Sequence, residues 1–507
     1  MNLDHIKQGY EEAKKQRTNV ESVIDDAFFY TRPLKAISKV SGQPADYTKI
    51  YDNTATASVN NLVANVLTFL IPQNARWAYI DVVENIRKQG LPADYRTFLE
   101  QENDRLFQLL LASNFYVAAG AALEDAIIAG TGCLGVELGA DLQSLVFIAV
   151  PTSELYILEN AQGIVDIVYR RHEIPARSLS KQYKRLPEWA SKLAEESPNK
   201  KVCIIECQYP DSEGGYHYGK YLEQDWHELD TFTCDYKPFT VFRWQKSSGD
   251  VWGDSPVRQA LSDIRQLNNF VENISVASDF AAQGAWQSSD DQLRGQSILP
   301  RTVIIHSQDE DIKPIQFPGE LRIGYQQVET LQMKVRKALY DDSLPAGNAV
   351  KGVVATAISA MQEQFYRVLA VPAFNLENEF LREILLSVMA LAQRNKLMAP
   401  IDAHRFGFKV TVQSVVTKGQ KREKAQQIMQ SVAMLGPLAQ IAMQMQMIDV
   451  TGLVQEVLEL MDFPQHLIKQ PPQVSPEQLQ QLLPMLQQAM QGQTPALATG
   501  QPPTPAA

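Results

Sequence analysis

Apolar side chains recur at three- and four-residue steps through the first part of the chain. From Leu3 to Tyr30 the positions Ile6, Tyr10, Val20, Val23, Ile24 and Ala27 predict a helix that stops before Pro33. Thr54 to Phe69 and Asp94 to Leu111 show the same period, and Phe115 to Ala129 predicts a further helix ending at Gly130, a residue suited to a C-cap. The period then changes. Cys133 to Leu138, Ser144 to Val150, Ile164 to Arg171, Val202 to Tyr209 and Phe239 to Trp244 are short runs rich in Val, Ile, Tyr and Phe, separated by turn residues. These predict an α+β region with a mostly antiparallel sheet.

Two long amphipathic helices follow. The first opens at Ser255 as N-cap with Pro256 behind it, the residue favoured at the first helical position, and its apolar face is Val257, Leu261, Ile264, Leu267, Val271 and Ile274. The second, Glu320 to Tyr340, repeats the pattern with Leu321, Tyr325, Val328, Leu331, Val335 and Leu339. Between them Gly284 to Gly319 holds a β-like run, Ser297 to His306, so a small α/β excursion is expected at the tip of a helical hairpin. Asp341 to Ala355 reads as a loop. A very long helix from Thr356 to Lys396 carries Pro372 in its middle, which predicts a kink because proline removes a backbone hydrogen bond and crowds the preceding turn. A strand, Phe406 to Val415, is expected to return to the sheet, and Lys418 to Met461 is Met/Gln-rich and helical in pattern. Lys469 to Ala507 is built of Gln, Pro, Ala and Thr and predicts a largely disordered tail.

Length and charge narrow the picture. A chain of 507 residues exceeds one hydrophobic core and suggests several domains or one elongated subunit. With 45% hydrophobic and 21% charged residues it can bury a core, and its net charge of −11 argues against a protein that grips nucleic acid through a basic surface. Four cysteines, Cys133, Cys203, Cys207 and Cys234, and a polar start at Met1 to Arg17 predict a reducing compartment without a secretory leader. The longest charge-free stretches, Phe107 to Leu123 and Ala425 to Ile448, are too short or too rich in Gln to predict a membrane span.

Candidate chemistry is sparse. Gly130, Gly132 and Gly135 spell the dinucleotide fingerprint, but a helix precedes and a strand follows, the reverse of what phosphate binding needs, so a tight helix-to-strand turn is predicted. No phosphate-binding loop of the G-x-x-x-x-G-K-[S/T] kind and no G-x-S-x-G elbow occurs. Cys203 and Cys207 share one face of a predicted strand and read as buried small residues. The seven histidines are scattered, and the pairs Asp25/Asp26, Asp290/Asp291 and Asp341/Asp342 read as solvated charge. No enzyme, cofactor or metal is expected. Lys351, between Val350 and Gly352 in a loop joining two helices, is the one basic residue placed to touch a passing phosphate; the plainer reading is a solvated lysine.

The order of these parts resembles the head-to-tail connector, or portal, proteins of short-tailed bacteriophages. The residues that carry the resemblance are Tyr51, Asp52, Thr54 and Ala55 followed by Pro72 and Trp77; the turn Gly130, Thr131, Gly132; and Arg243, Trp244, Gly253 and Pro256. Trp252 and Asp254 replace the Tyr and Arg usual around that glycine, and Thr356, Ala357 and Ile358 lack the acid common there. The resemblance implies a ring, typically of twelve subunits, at one capsid vertex of the virion, assembled in the host cytoplasm. Its partners would be double-stranded DNA in the channel, a terminase motor, a tail adaptor, and capsid and scaffolding proteins, with no membrane.

In that scheme residues 1–253 form a wing, 254–283 and 320–341 two stem helices, and 284–319 the clip between them. A tunnel loop at 342–355 would bring Lys351 and Asn348 to DNA, 356–417 would hold the kinked helix and returning strand, 418–468 the crown, and 469–507 the tail. A soluble helical adaptor or scaffold without a nucleic-acid role is the alternative.

Overall fold

The computed structural model describes residues 3–35, 47–73, 76–82, 93–183, 185–212, 214–283, 286–287, 313–314, 321–341, 368–401, 408–412, 424–431, 453–454 and 457–458. The chain divides into two units, Met1–Gly419 and Gln420–Ala507. In the second, residues 424–431 form a helix and 453–454 and 457–458 are helical. The rest of the expected crown, the run Ser297 to His306, the loop with Asn348 and Lys351, and the Gln/Pro tail lie outside the described residues.

The first unit opens with α1 (Leu3–Thr31), α2 (Thr54–Leu70), β1 (Ala78–Val82), α3 (Ala93–Ala112) and α4 (Phe115–Ala129). Helix α4 is apolar almost all round and is accordingly buried at the centre of the main core. Trp77 is fully buried beside it, stacked on Phe115 at 6.0 Å and edge-on to Phe107 at 5.5 Å. No single helix among the described residues is long and apolar enough to cross a membrane.

The strands make two larger antiparallel sheets. β2 (Thr131–Leu138), β3 (Leu145–Ala149) and β9 (Phe239–Arg243) form one in the order β3-β2-β9. β4 (Leu155–Glu159), β5 (Val165–Pro175), β6 (Lys201–Pro210), β7 (Tyr216–Leu222) and β8 (Glu228–Cys234) form a meander in chain order. The N-terminal half of α1 covers one face of the meander, with Ile6, Tyr10 and Ala13 against Tyr169, Ile205, Cys207 and Tyr209. Two short helices, α5 (Ala176–Gln182) and α6 (Glu188–Glu196), pack Ala176, Leu179 and Ala190 on Val202, Ile204 and Leu222. Alternation along β6 sends these two sets to opposite faces.

Several expectations change. The returning strand β12 (Phe408–Val412) pairs with β1, Ala78 opposite Val412, in a separate two-stranded sheet rather than joining a larger one. Cys207 is buried as expected, but Cys203 is only half-buried, beside the ion pair of Arg171 and Glu223. In α1 the buried stripe runs through Arg17. Its guanidinium fills an apolar position by donating to the carbonyls of Thr152 and Leu155, with the Tyr156 ring 4.7 Å away. Burial pushes its pKa down.

The long helices are α7 (Pro256–Gln283) and α8 (Leu321–Ala338), which pack on each other through the main core. The short strands β10 (Trp286–Gln287) and β11 (Lys313–Pro314) pair antiparallel and so close the base of the excursion between them. Residues 368–375 continue as helix through Pro372. One turn later a π-helical segment, Leu376–Arg382, follows and leads into α9 (Glu383–Arg394). Trp77→Ala is expected to cost roughly 3–5 kcal/mol of unfolding free energy, because truncating a buried tryptophan leaves a cavity. Urea titration of both proteins measures it, and a cost below 1 kcal/mol would place Trp77 outside the structural core.

Candidate functional site: the joint between sheet and long helices

Gly130 ends α4 with φ +91°, a left-handed conformation that favours glycine. Its carbonyl accepts the N–H of Trp244 at 2.9 Å, and a Cβ built on it would lie 2.1 Å from the carbonyl oxygen of Gly253. Gly253 meets the mirror restriction, because its own Cβ would lie 2.1 Å from the Gly130 oxygen. Two backbones therefore touch where any side chain would separate them. The residue after Gly130 completes the contact: Thr131 Oγ1 accepts the Gly253 N–H at 2.9 Å.

That contact aims α7. Ser255 Oγ accepts the N–H of Arg258 at 2.9 Å, capping the helix, and donates to the Ile128 carbonyl at 2.8 Å. One hydroxyl thus starts α7 and ties it to the end of α4. Pro256 is the first residue of α7, as the sequence predicts. The Asp254 N–H donates to the Gln245 carbonyl at 2.7 Å, and Asp254 Oδ2 accepts from Gln259. Trp252 is buried near the Arg17 guanidinium. Trp252 and Asp254 thus take their places at the joint, while the departure at Thr356 to Ile358 lies outside the described residues.

Arg243, the last residue of β9, holds the other side of the joint. Its side chain is only 2% exposed. Nη2 donates to Glu379 Oε1 at 2.6 Å and to the Gly163 carbonyl at 2.9 Å, Nε to Glu379 Oε2 at 3.1 Å, and Nη1 to Glu159 at 3.2 Å. The backbone N–H of Arg243 also donates to Glu379 Oε2 at 3.0 Å. A buried guanidinium is tolerated when its fork is filled by charged and carbonyl acceptors, as here. Glu379 lies in the π segment, and the neighbouring Phe380 stacks on Phe242 at 4.1 Å. The irregular turn thus covers the open edge of β9. Lys246 joins Glu159 and the Gly163 carbonyl at 2.9 and 2.7 Å.

The early motif clamps both long helices. The Tyr51 N–H donates to Asn268 Oδ1 at 2.8 Å and its hydroxyl to Glu272 at 3.0 Å, both on α7. Asp52 accepts the Thr54 N–H at 2.8 Å, at the start of α2, and Gln332 Nε2 of α8 at 2.9 Å. Ser58 and Asn61 of α2 then donate to the two oxygens of Asp341, each at 2.8 Å, just beyond α8. On α4, Asp125 accepts the Thr152 N–H and faces Lys35 at 2.9 Å, yet burial raises its carboxyl pKa.

Ser255 and Pro256 therefore sit at the joint, Pro372 lies one turn before the π segment, and Asn348 and Lys351 lie outside the described residues. Glu379, Asn268, Gln332 and Asp341 have no local sequence signal, since each acts on a segment far away in the chain; Arg243 and Glu379 are 136 residues apart. Among the described residues no group of three or more His, Cys, Asp or Glu is placed to hold a metal ion. The arrangement is mechanical: it fixes the direction of two long helices against a sheet.

The sequence pattern of a family described as "Bacteriophage head to tail connecting protein" matches residues 3–468. The chain belongs to this family. Its description names a connector and no catalytic activity. The portal protein of Enterobacteria phage T3 is 24% identical over 290 residues, 55% of this chain and 53% of that protein. The portal protein of Escherichia phage T7 is 22% identical over 282 residues, 54% of this chain and 52% of that protein. The chain thus spans about half the length of the relatives it matches. Among solved structures, a chain in the virion of a native gene transfer agent particle overlaps with a TM-score of 0.36 at 12% identity, covering 82% of this connector and 92% of that chain. A chain in the neck of an empty gene transfer agent particle gives 0.35 at 11% identity, with 76% and 90% covered.

Two substitutions test the joint. Gly253→Ala forces the two backbones apart and is expected to lower the midpoint of thermal unfolding by several degrees; an unchanged midpoint would show that the contact yields. Glu379→Ala leaves Arg243 buried without its main partner and is expected to cost roughly 3 kcal/mol, while the Arg243→Met/Glu379→Leu pair costs less than the single change. Equal costs for single and double variants would sink the coupling.

Proposed function

We propose that this chain is a portal subunit, one copy of a ring at a single capsid vertex through which double-stranded DNA enters during packaging and leaves at infection. The family match over residues 3–468 carries the reading. It is supported by where the residues that carry the resemblance lie: Gly130, Arg243, Gly253 and Pro256 at the joint that starts α7, and Tyr51 and Asp52 against the middle of α7 and Gln332 of α8. Residues 1–253 are then the wing, 254–283 and 320–341 the stem, 284–319 the clip that meets the packaging motor and later the tail, and 418–468 the crown. The tunnel loop, 342–355, carries Asn348 and Lys351 toward DNA, and no chemistry is required of the chain itself.

The outward face of α7 suits a conduit. Gln259, Ser262, Gln266, Asn269 and Asn273 follow one another at three- and four-residue steps, all exposed and all uncharged. Such a stripe offers phosphate neither strong attraction nor strong repulsion, and with a net charge of −11 the subunit avoids the tight, salt-dependent grip that would stop DNA from sliding. Negative-stain images of the purified protein are expected to show rings with a central hole; monomers or filaments would favour an adaptor instead. Lys351→Ala should assemble normally yet change DNA packaging or retention, and normal performance in both assays would remove its role.

A further inference from the structure

One face of the meander carries two separate apolar cores. Val168 and Tyr218 belong to the main core, whereas Val202, Ile204 and Leu222 pack under α5 and α6. Both sets lie on the same side of the sheet, because Gln208 opposes Val168 and Tyr218 and shares the parity of Ile204 along β6. A charged row runs between them. Arg170, Glu206 and Lys220 are direct neighbours across β5, β6 and β7. Glu206 is 4% exposed and lies 3.6 Å from Arg170 and 3.3 Å from Lys220. Glu154, in the turn before β4, meets Arg170 at 2.9 Å, and Glu137 of β2 meets Lys220 at 3.7 Å.

His172 stands beside this row, opposite Ile204 and so on the side of the flanking helices. Its Nε2 is 4.0 Å from Glu206 Oε1, beyond hydrogen-bond reach, and its Nδ1 is buried with no hydrogen-bond partner among the described residues. An imidazolium carries a proton on both nitrogens. Here it would add a charge out of water and a donor at Nδ1 that nothing accepts. Glu206 and Glu154 favour that charge, but both are already engaged by the row's own cations, Arg170 and Lys220, which oppose it. Tyr183, after α5, closes the row from the flank without supplying a charge. Burial outweighs the carboxylates and pushes the His172 pKa below its ordinary value.

We propose that this row is an acid-operated seam: protonation of His172 releases α5 and α6 from the meander while the main core stays closed. The flank can open alone because the polar row interrupts the apolar packing that would otherwise join it to the rest as one cooperative unit. The open form binds the proton more tightly than the closed one. The flank's stability is therefore complete above the ordinary histidine pKa of about 6.5 and is lost as pH falls below it. The device belongs to the single subunit and does not rest on the portal reading.

Hydrogen exchange on the full-length chain tests it at about pH 8 and about pH 5.5, after correction for intrinsic exchange rates, with peptides from α5 and α6 compared with peptides from α4. The flank is expected to open at least about fivefold more at the lower pH while α4 is unchanged, and His172→Gln is expected to abolish that response. An equal response of flank and α4, or no response in either, overturns the proposal. So does a His172→Gln flank that answers to pH as the wild type does. If His172→Gln fails to fold, His172→Leu decides by the same readout, and the comparison of flank with α4 in the wild type stands without either variant.

Discussion

A guanidinium removed from water is the constraint on which the rest of the first unit depends. Arg243 ends an edge strand, and its charge has to be met inside the protein by Glu379, Glu159 and the Gly163 carbonyl. Those partners come from the π segment and from the end and the turn of the β4–β5 hairpin, so satisfying one side chain brings together elements distant in the chain. Desolvating such a pair yields little net stability compared with an apolar replacement of the same shape. What it provides is geometry, because few positions of the helix let both carboxylate oxygens reach the fork.

The same joint holds a second constraint of a different kind. Gly130 and Gly253 permit a backbone contact too close for any Cβ, and the capping hydroxyl of Ser255 follows directly from it. Hydrogen bonding of Tyr51 and Asp52 then fixes α7 and α8 from the opposite side. Neither helix is left to find its own angle. Both long helices are thus held from two sides, α7 by the sheet joint at its start and both helices by the segment before α2.

Much of this architecture was legible from periodicity. Helix α4 has the expected limits, Phe115 to Ala129, because an apolar run closed by a glycine has few other solutions. Ser255 and Pro256 announced α7 by residue type alone. Strands β7 and β8 escaped notice for physical reasons: Tyr216–Leu222 is interrupted by Gly219 and Lys220, and Glu228–Cys234 is an edge strand with mostly exposed side chains. Strand β1 has five residues and a partner, β12, from the far end of the unit. The shared motifs indicated which segments mattered but not what they touch. Glu379 in particular reads as an ordinary solvated acid on a helix, since the arginine that captures it belongs to a different element.

The π segment also sets a phase. A π turn is an α-helix with one residue too many, and one residue corresponds to a rotation of about 100° about the axis. Residues 368–375 are therefore rotated by that amount relative to an uninterrupted helix continuing back from α9. Without the extra residue the inward positions of Leu369 and Pro372 would fall to Ala370 and Ala373, and the anchoring face would lose much of its bulk. The irregularity works as a gear tooth: a single residue of offset decides which side of an all-apolar helix the subunit keeps for itself and which it turns outward.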